Sequence, residues 1–314
     1  MSLDLIELTT LGIGGPAKKI VVVKTETELI KTVTDAVSKK EVLLFFGSGS
    51  NLLIADEGVD TTVIKNEITG ISQNGNSLLV KSGTLLQDLV DYANDHSLAG
   101  LEHLAGIPGT VGGAVYGNAG AYGQSISDHL NTVRWFTRMS EEEKTSTKAE
   151  CLFGYRDSLF KHHKSNAYFY SDDFILETEF TLTPGNSDQL KQKSEEIIKK
   201  REEKYPPGIK CPGSFFKNIV AEKLTPEILS KIPPEKIVYG KIPAGTLLEM
   251  VGAKGDSQGD IEIADYHANL FINKGQGTAK DFWELAKKYA DKVHEQFGIR
   301  LEPEVQLINL PILY

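Results

Sequence analysis

The sequence predicts an α+β protein in three parts, residues 1–66, 67–204 and 205–304, with a last strand at 305–314 returning to the first part. Three observations predict it. Strand-like runs and amphipathic helices intermix along the chain without an internal repeat. Period-two alternation at Phe174, Leu176, Thr178, Phe180 and Leu182 reads as a strand, and Asn74-Gly75 between apolar runs is a hairpin signal. The breaker Tyr205-Pro206-Pro207-Gly208 separates a charged helix from a region of short elements.

In order along the chain, Ile20 to Val23 reads as a strand, and Thr25 with Glu28 forms a capping box for a helix with the apolar stripe Leu29, Ile30, Val33 and Val37. Val42 to Phe46 is a buried strand and Val63-Ile64 starts another, which makes a small βαβ unit. After the hairpin, Leu85, Leu86, Leu89, Val90 and Ala93 have helical spacing. A strand over 174–182 and a helix over Asp188–Lys204 close the middle part. Beyond the breaker come short helices, a strand near Ala268–Ile272 and an amphipathic helix. That helix is capped by Thr278 and Asp281, buried through Phe282, Leu285, Ala286, Tyr289 and Val293, and ended by Gly298.

Composition excludes several classes. The net charge of −9 argues against a nucleic-acid partner, so the positive charge that holds any anionic ligand is local. The only cysteines, Cys151 and Cys211, cannot build a disulfide framework and fit a reducing compartment. No apolar run approaches the ~20 residues of a membrane span, and the N-terminus has no signal-peptide pattern, so the cytoplasm is expected. His162-His163, within Lys161–Lys164, has no carboxylate at ligand spacing and reads as a solvated face, so no metal is expected.

The glycine-dense tract Gly106–Gly123, GIPGTVGGAVYGNAGAYG, is the leading candidate site. Without Cβ atoms its N–H groups can converge on phosphate oxygens. A second small-residue turn, Gly47-Ser48-Gly49-Ser50-Asn51, follows a buried strand. Either alone could be a tight loop. Together they suit a dinucleotide held from both sides of its pyrophosphate. Neither is a P-loop, which ends in Gly-Lys-Ser/Thr, or a Rossmann G-x-G-x-x-G before a helix.

Three segments carry groups for chemistry. Phe153–Ser158 offers Arg156, whose planar fork can hold a carboxylate or enolate, or can simply pair with Asp157 at the surface. In Gly213–Asn218 a glycine precedes Ser214, which is either a reactive hydroxyl or an ordinary loop serine. Leu301–Val305 places a carboxylate at the mouth of a strand.

Taken in order, these pieces resemble the UDP-N-acetylenolpyruvoylglucosamine reductase family. The matching stretches are LTTLGIGGPA (8–17), GSGSNLLIAD (47–56), GLEHLAGIPGTVGGAVYGNAGAYG (100–123), AECLFGYRDSLFK (149–161), CPGSFFKN (211–218), PAGTLLEMVGAKG (243–255), ADYHANLFIN (264–273) and LEPEV (301–305). They are collinear and nearly full length. The resemblance implies a two-domain FAD-binding module of the vanillyl-alcohol-oxidase (PCMH) type plus a C-terminal α+β substrate-binding domain. It implies noncovalent FAD, held by Gly47, Ser48, Gly49, Ser50, Asn51, Ile107, Pro108, Gly109, Gly112, Gly113, Asn118, Gly120 and Ala121. NADPH would reduce the flavin. The enolpyruvyl ether of UDP-N-acetylglucosamine would then take hydride from flavin N5 at C3.

In that scheme Arg156 and Glu304 stabilise the enolate-like charge and Ser214 protonates C2, with a neighbour such as Lys217 making up its proton. Glu304 is chosen over Glu302 because the family's glutamate directly precedes the valine of this strand. Tyr122, Lys204, Lys217 and Asn218 match substrate-contacting positions, and the family default is a monomer. Some members carry a tyrosine loop that clamps the substrate. Here the interval Thr183–Ser187 leaves no room for it, and GDSQGDIEIADYHANL departs from the family's Gly-Gly-Ala form. The alternatives are another FAD oxidoreductase of this fold or a flavin-binding module without catalysis.

Overall fold

A computed structural model describes residues 3–163 and 172–313. The chain divides into two compact units, one gathering Ala17–Gly49 and Asp60–Glu203, the other Asp4–Pro16, Ser50–Val59 and Lys204 onward. Residues 4–16 and 50–59, which the sequence places in the first part, therefore group with the C-terminal region. The reason is burial: Leu11, Ile13 and Leu53 are fully enclosed in the C-terminal core.

The first unit has two sheets. In the four-stranded sheet, Leu43–Phe46 lies parallel to Val59–Asn66, which separates it from Pro16–Val23. The helix Glu26–Ser38 starts on the Thr25–Glu28 capping box. Its Leu29, Val33 and Ala36 are buried with Val23, Leu43 and Ile64, and with Phe136, Phe174 and Leu176 of the second sheet. That second sheet has five antiparallel strands, centred on Leu130–Thr137 and Asp173–Thr181. The hairpin Ile71–Asn74 to Ser77–Lys81 turns at Gly75, whose φ is 58°.

Polar groups tie this helix to the larger sheet. Glu26 accepts from Arg134 at 2.6 Å and from Lys81 at 2.8 Å, and Glu177 pairs with the same two cations. Burial opposes ionisation of Glu26, but the Arg134 and Lys81 hydrogen bonds outweigh it and hold the carboxyl below its ordinary range. The helix Ser187–Glu202 is capped by Asn186, and just before it Thr183-Pro184 pairs with Leu98-Ala99. Strand pairing and cap thus use up the interval in which a clamp loop would sit.

The second unit is built around the helix Ala279–Phe297. The Thr278–Asp281 capping box starts it and Gly298, at φ 75°, ends it. The Asp56 carboxylate accepts from the N–H groups of Ala279 and Lys280 at 2.7 and 3.1 Å, a favourable charge at a helix N-terminus. Leu52–Ile54 pairs in parallel with Gln306–Ile308, and a three-stranded antiparallel sheet ends in Phe271–Asn273. Phe215, Phe216, Phe271 and Phe282 are fully buried, with ring centroids 4.7–6.3 Å apart. Among the described residues, no helix is long and apolar enough to cross a membrane.

The aromatic cluster anchors the backbone directly after Ser214, through Phe215 and Phe216. Phe282→Ala should cost about 3–5 kcal/mol of unfolding free energy, the usual penalty for deleting a buried ring, measured by denaturant titration of the C-terminal unit's signal.

Candidate functional site

The glycine tract is shaped by close backbone approach. Gly112 donates its N–H to Ser82 O at 2.8 Å, and a Cβ on it would lie 2.8 Å from the Ser82 Cβ. Val111–Gly117 is a short helix whose N-cap Thr110 accepts from the Gly113 N–H. Ile107-Pro108-Gly109 leads into it, with the Leu86 N–H bound to Gly109 O at 3.0 Å. Past the helix, Asn118 takes the left-handed conformation. Gly120-Ala121 then pairs with Gln124-Ser125 across Tyr122-Gly123, both at positive φ (51° and 87°). This hairpin tip presents an exposed Tyr122, with Lys200 Nζ 4.8 Å from its ring centre.

The first small-residue turn leaves the carboxyl end of the parallel strand Leu43–Phe46. A Cβ on Gly47 would overlap the Thr110 side chain, so a glycine there lets this turn meet the cap of the tract helix. Gly47, Ser48 and Gly49 belong to the first unit, Ser50 and Asn51 to the second. Two buried polar atoms line these turns without a hydrogen-bond partner, Ser48 Oγ and Asn118 Oδ1. Such atoms are costly unless a ligand satisfies them.

Arg156 is carried by a loop fastened to the same helix. Ser158 Oγ donates to Tyr116 O at 2.7 Å, and Asn118 Nδ2 donates to Gly154 O at 2.8 Å. Gly154 and Asp157 exchange backbone hydrogen bonds, and Arg156 is held at φ 55° with its backbone oxygen accepting from Lys161 Nζ. A non-glycine residue in that conformation is mildly strained and is kept there by its surroundings. Arg156 is half-buried, with its guanidinium 5.6 Å from the Tyr155 ring. Asp157 pairs with His162 and Asp173 with His163. Lys164, the last residue of that basic loop, lies outside the described residues. Among the described residues no group of three His, Cys, Asp or Glu could hold a metal.

In the second unit, the Ser214 segment is clamped by the buried Asn269. Its Oδ1 accepts from the Phe216 N–H and its Nδ2 donates to Phe216 O, both at 2.8 Å. The Phe215 N–H bonds to Asn269 O, and Phe215 O accepts from the Glu304 N–H at 2.7 Å. Glu304 O accepts from Asn51 Nδ2 at 3.1 Å. Ser214 and Glu304 are thus brought into one hydrogen-bonded framework. Gly213, at φ 87°, gives the bend before the serine. Ser214 Oγ lies 2.9 Å from Tyr205 OH and 3.4 Å from Lys204 Nζ.

Lys217, expected as the serine's neighbour, instead pairs with the exposed Glu302 at 3.3 Å. Its backbone N–H is bound to Glu302 O at 2.9 Å. Asn218 Oδ1 accepts from the Ala244 N–H at 3.1 Å. Sequence reasoning treated Tyr205 only as part of a helix breaker and gave Asn269 and His267 no separate role. No local pattern marks Tyr205 or Asn269, whose partners lie 9 and 53 residues away, or His267, which feels the charge of Lys204, distant in sequence.

Comparisons with known proteins bear on both units. A family model described as UDP-N-acetylenolpyruvoylglucosamine reductase, C-terminal domain, matches residues 205–308, and an FAD binding domain model matches residues 17–146. The UDP-N-acetylenolpyruvoylglucosamine reductase of Solibacter usitatus is 40% identical over 96% of this chain and 94% of its own length. UDP-N-acetylenolpyruvoylglucosamine reductase 2 of Bacillus cereus is 35% identical over 96% and 90%. The crystal structure of UDP-N-acetylenolpyruvylglucosamine reductase from Thermus caldophilus superposes with a TM-score of 0.75 at 31% identity, covering 98% of each chain.

His267 reports the electrostatics around Lys204. Burial first, then the Lys204 charge, push its imidazole down to about 4 from an ordinary 6.5, and its Nδ1 is buried without a partner. The unfolded chain takes up this proton below pH 6.5 while the folded chain stays neutral until about 4. Stability from this group is therefore complete above 6.5 and is lost as pH falls toward 4. Lys204→Met should raise the His267 titration midpoint in an NMR pH series and flatten the fall of unfolding free energy across that window.

Proposed function

The chain belongs to the UDP-N-acetylenolpyruvoylglucosamine reductase family, and we propose that it reduces the enolpyruvyl ether of UDP-N-acetylglucosamine to UDP-N-acetylmuramate for peptidoglycan synthesis. NADPH is the reductant and FAD the noncovalent cofactor. The carrying observation is the Ser214 hydroxyl, set on a clamped segment between a phenol and a lysine ammonium. An oxidase of small alcohols has no use for such a group, because it generates no carbanion to protonate.

The residues present fit FAD. Gly47, Ser48, Gly49, Ser50 and Asn51 would hold one side of the pyrophosphate. Ile107, Pro108, Gly109, Gly112, Gly113, Asn118, Gly120 and Ala121 would hold the other side and the flavin. The unpartnered Ser48 Oγ can donate to a phosphate oxygen, and the unpartnered Asn118 Oδ1 can accept from a ring imide or a hydroxyl of the cofactor. When bound, FAD would supply the hydride transfer chemistry that links NADPH to C3 of the enolpyruvyl group.

In this reading Arg156 takes the negative charge that develops on the substrate's C2 and carboxylate, through a fork suited to planar anions. Glu304 stabilises the same developing charge, and Ser214 protonates C2. Tyr122, Lys204, Lys217 and Asn218 bind the anionic substrate. The same reading makes the enzyme a cytoplasmic monomer, supported by its nucleotide substrates and by the family resemblance.

The test is Ser214→Ala. Flavin bleaching by NADPH should persist, while reoxidation by the enolpyruvyl substrate should slow by about 10²–10⁴, the range for losing a general acid. Stopped-flow absorbance separates the two steps, and full reoxidation by the variant would remove Ser214 from the donor role.

A further inference from the structure

We propose that Tyr205 is a positioning and proton-relay residue for Ser214, a role that rests on the reading of Ser214 as proton donor. A serine hydroxyl has one hydrogen to give and two lone pairs to fill. For that hydrogen to reach substrate carbon, its neighbours must donate to the oxygen and not accept from it. A lysine ammonium can only donate, and at 3.4 Å Lys204 Nζ does so weakly. Tyr205 OH, at 2.9 Å, makes the well-formed hydrogen bond. With its O–H directed at Ser214 Oγ, the two neighbours fill both lone pairs and the serine hydrogen is left for the substrate.

The surroundings fix this arrangement. Tyr205 packs against the buried Cys211, Ala264, Leu270 and Ile272, so its ring is held by apolar contacts. Lys204 Nζ lies 5.1 Å from the same ring's centre, placing a positive charge beside the phenol. Among the described residues, His267 feels the Lys204 charge and is neutral at physiological pH.

The step balances as two proton transfers. The Ser214 O–H bond breaks as the C2–H bond forms. In the same transition state the Tyr205 O–H bond breaks as a new Ser214 O–H bond forms, so no free alkoxide accumulates. The second transfer is favoured because a phenol is much the stronger acid. The resulting phenolate sits beside the Lys204 ammonium and regains its proton from water.

The experiment uses the full-length holoenzyme, reduced anaerobically and mixed with the enolpyruvyl substrate in Tyr205→Phe, Ser214→Ala and the double variant. FAD content and thermal unfolding verify folding, since Phe keeps the ring. Tyr205→Phe should slow flavin reoxidation by about tenfold or more. The double variant should be no slower than Ser214→Ala, because Tyr205 acts through that serine. In mixed H2O and D2O the wild type should give a curved proton inventory and Tyr205→Phe a linear one. A wild-type rate and inventory in Tyr205→Phe, with Ser214→Ala slow, overturns the relay alone. Additive losses in the double variant overturn it too. Full-rate Ser214→Ala removes the donor reading and the relay with it.

Discussion

The C-terminal unit is closed by a short parallel pairing between Leu52–Ile54 and Gln306–Ile308. Parallel strands cannot be joined by a tight turn, so this pairing brings together two segments about as far apart in sequence as the chain allows. It begins one residue earlier, where the Gln306 N–H binds Asn51 O and Asn51 Nδ2 binds Glu304 O. From Glu304 the hydrogen bonds continue through Phe215 O to the segment that carries Ser214. The end of the first glycine turn, the candidate carboxylate and the candidate proton donor are thereby positioned by one ladder. Loss of that ladder would release all three, while the helix Ala279–Phe297 could still form on its own caps.

The proposed proton donation by Ser214 presents a specific physical difficulty. An alcohol is too weak an acid to donate a proton unless its conjugate base is stabilised as it forms. The structure supplies that stabilisation locally in a protein of net charge −9. Lys204 brings a cation, Tyr205 a hydrogen bond, and His267 is kept neutral by burial and by the same lysine. The first unit contributes Arg156 on a loop strained into positive φ and tied to the glycine-tract helix.

What the sequence made legible was local. The helices Glu26–Ser38 and Ala279–Phe297 start on the capping boxes that Thr25/Glu28 and Thr278/Asp281 predict, and Gly298 ends the second one. The hairpin at Gly75 and the strand near 174–182 are also found. The strand Glu142–Thr147 escaped because it is an edge strand, almost wholly exposed and without apolar alternation. Leu130–Thr137 escaped because Arg134 and Asn131 interrupt its pattern, although Arg134 is satisfied by Glu26 and Glu143. The assignment of residues 4–16 and 50–59 to the C-terminal unit depends on long-range burial, which no window of sequence contains. The same holds for Tyr205: only the folded chain brings its phenol to Ser214.

The most direct measurement is an anaerobic two-step mixing experiment on the purified holoenzyme. Flavin absorbance is followed first after NADPH, then after the enolpyruvyl ether of UDP-N-acetylglucosamine. The account predicts bleaching followed by full return of the oxidised spectrum, with stoichiometric UDP-N-acetylmuramate. A flavin that bleaches and stays reduced, or that is reoxidised only by another acceptor, would contradict it.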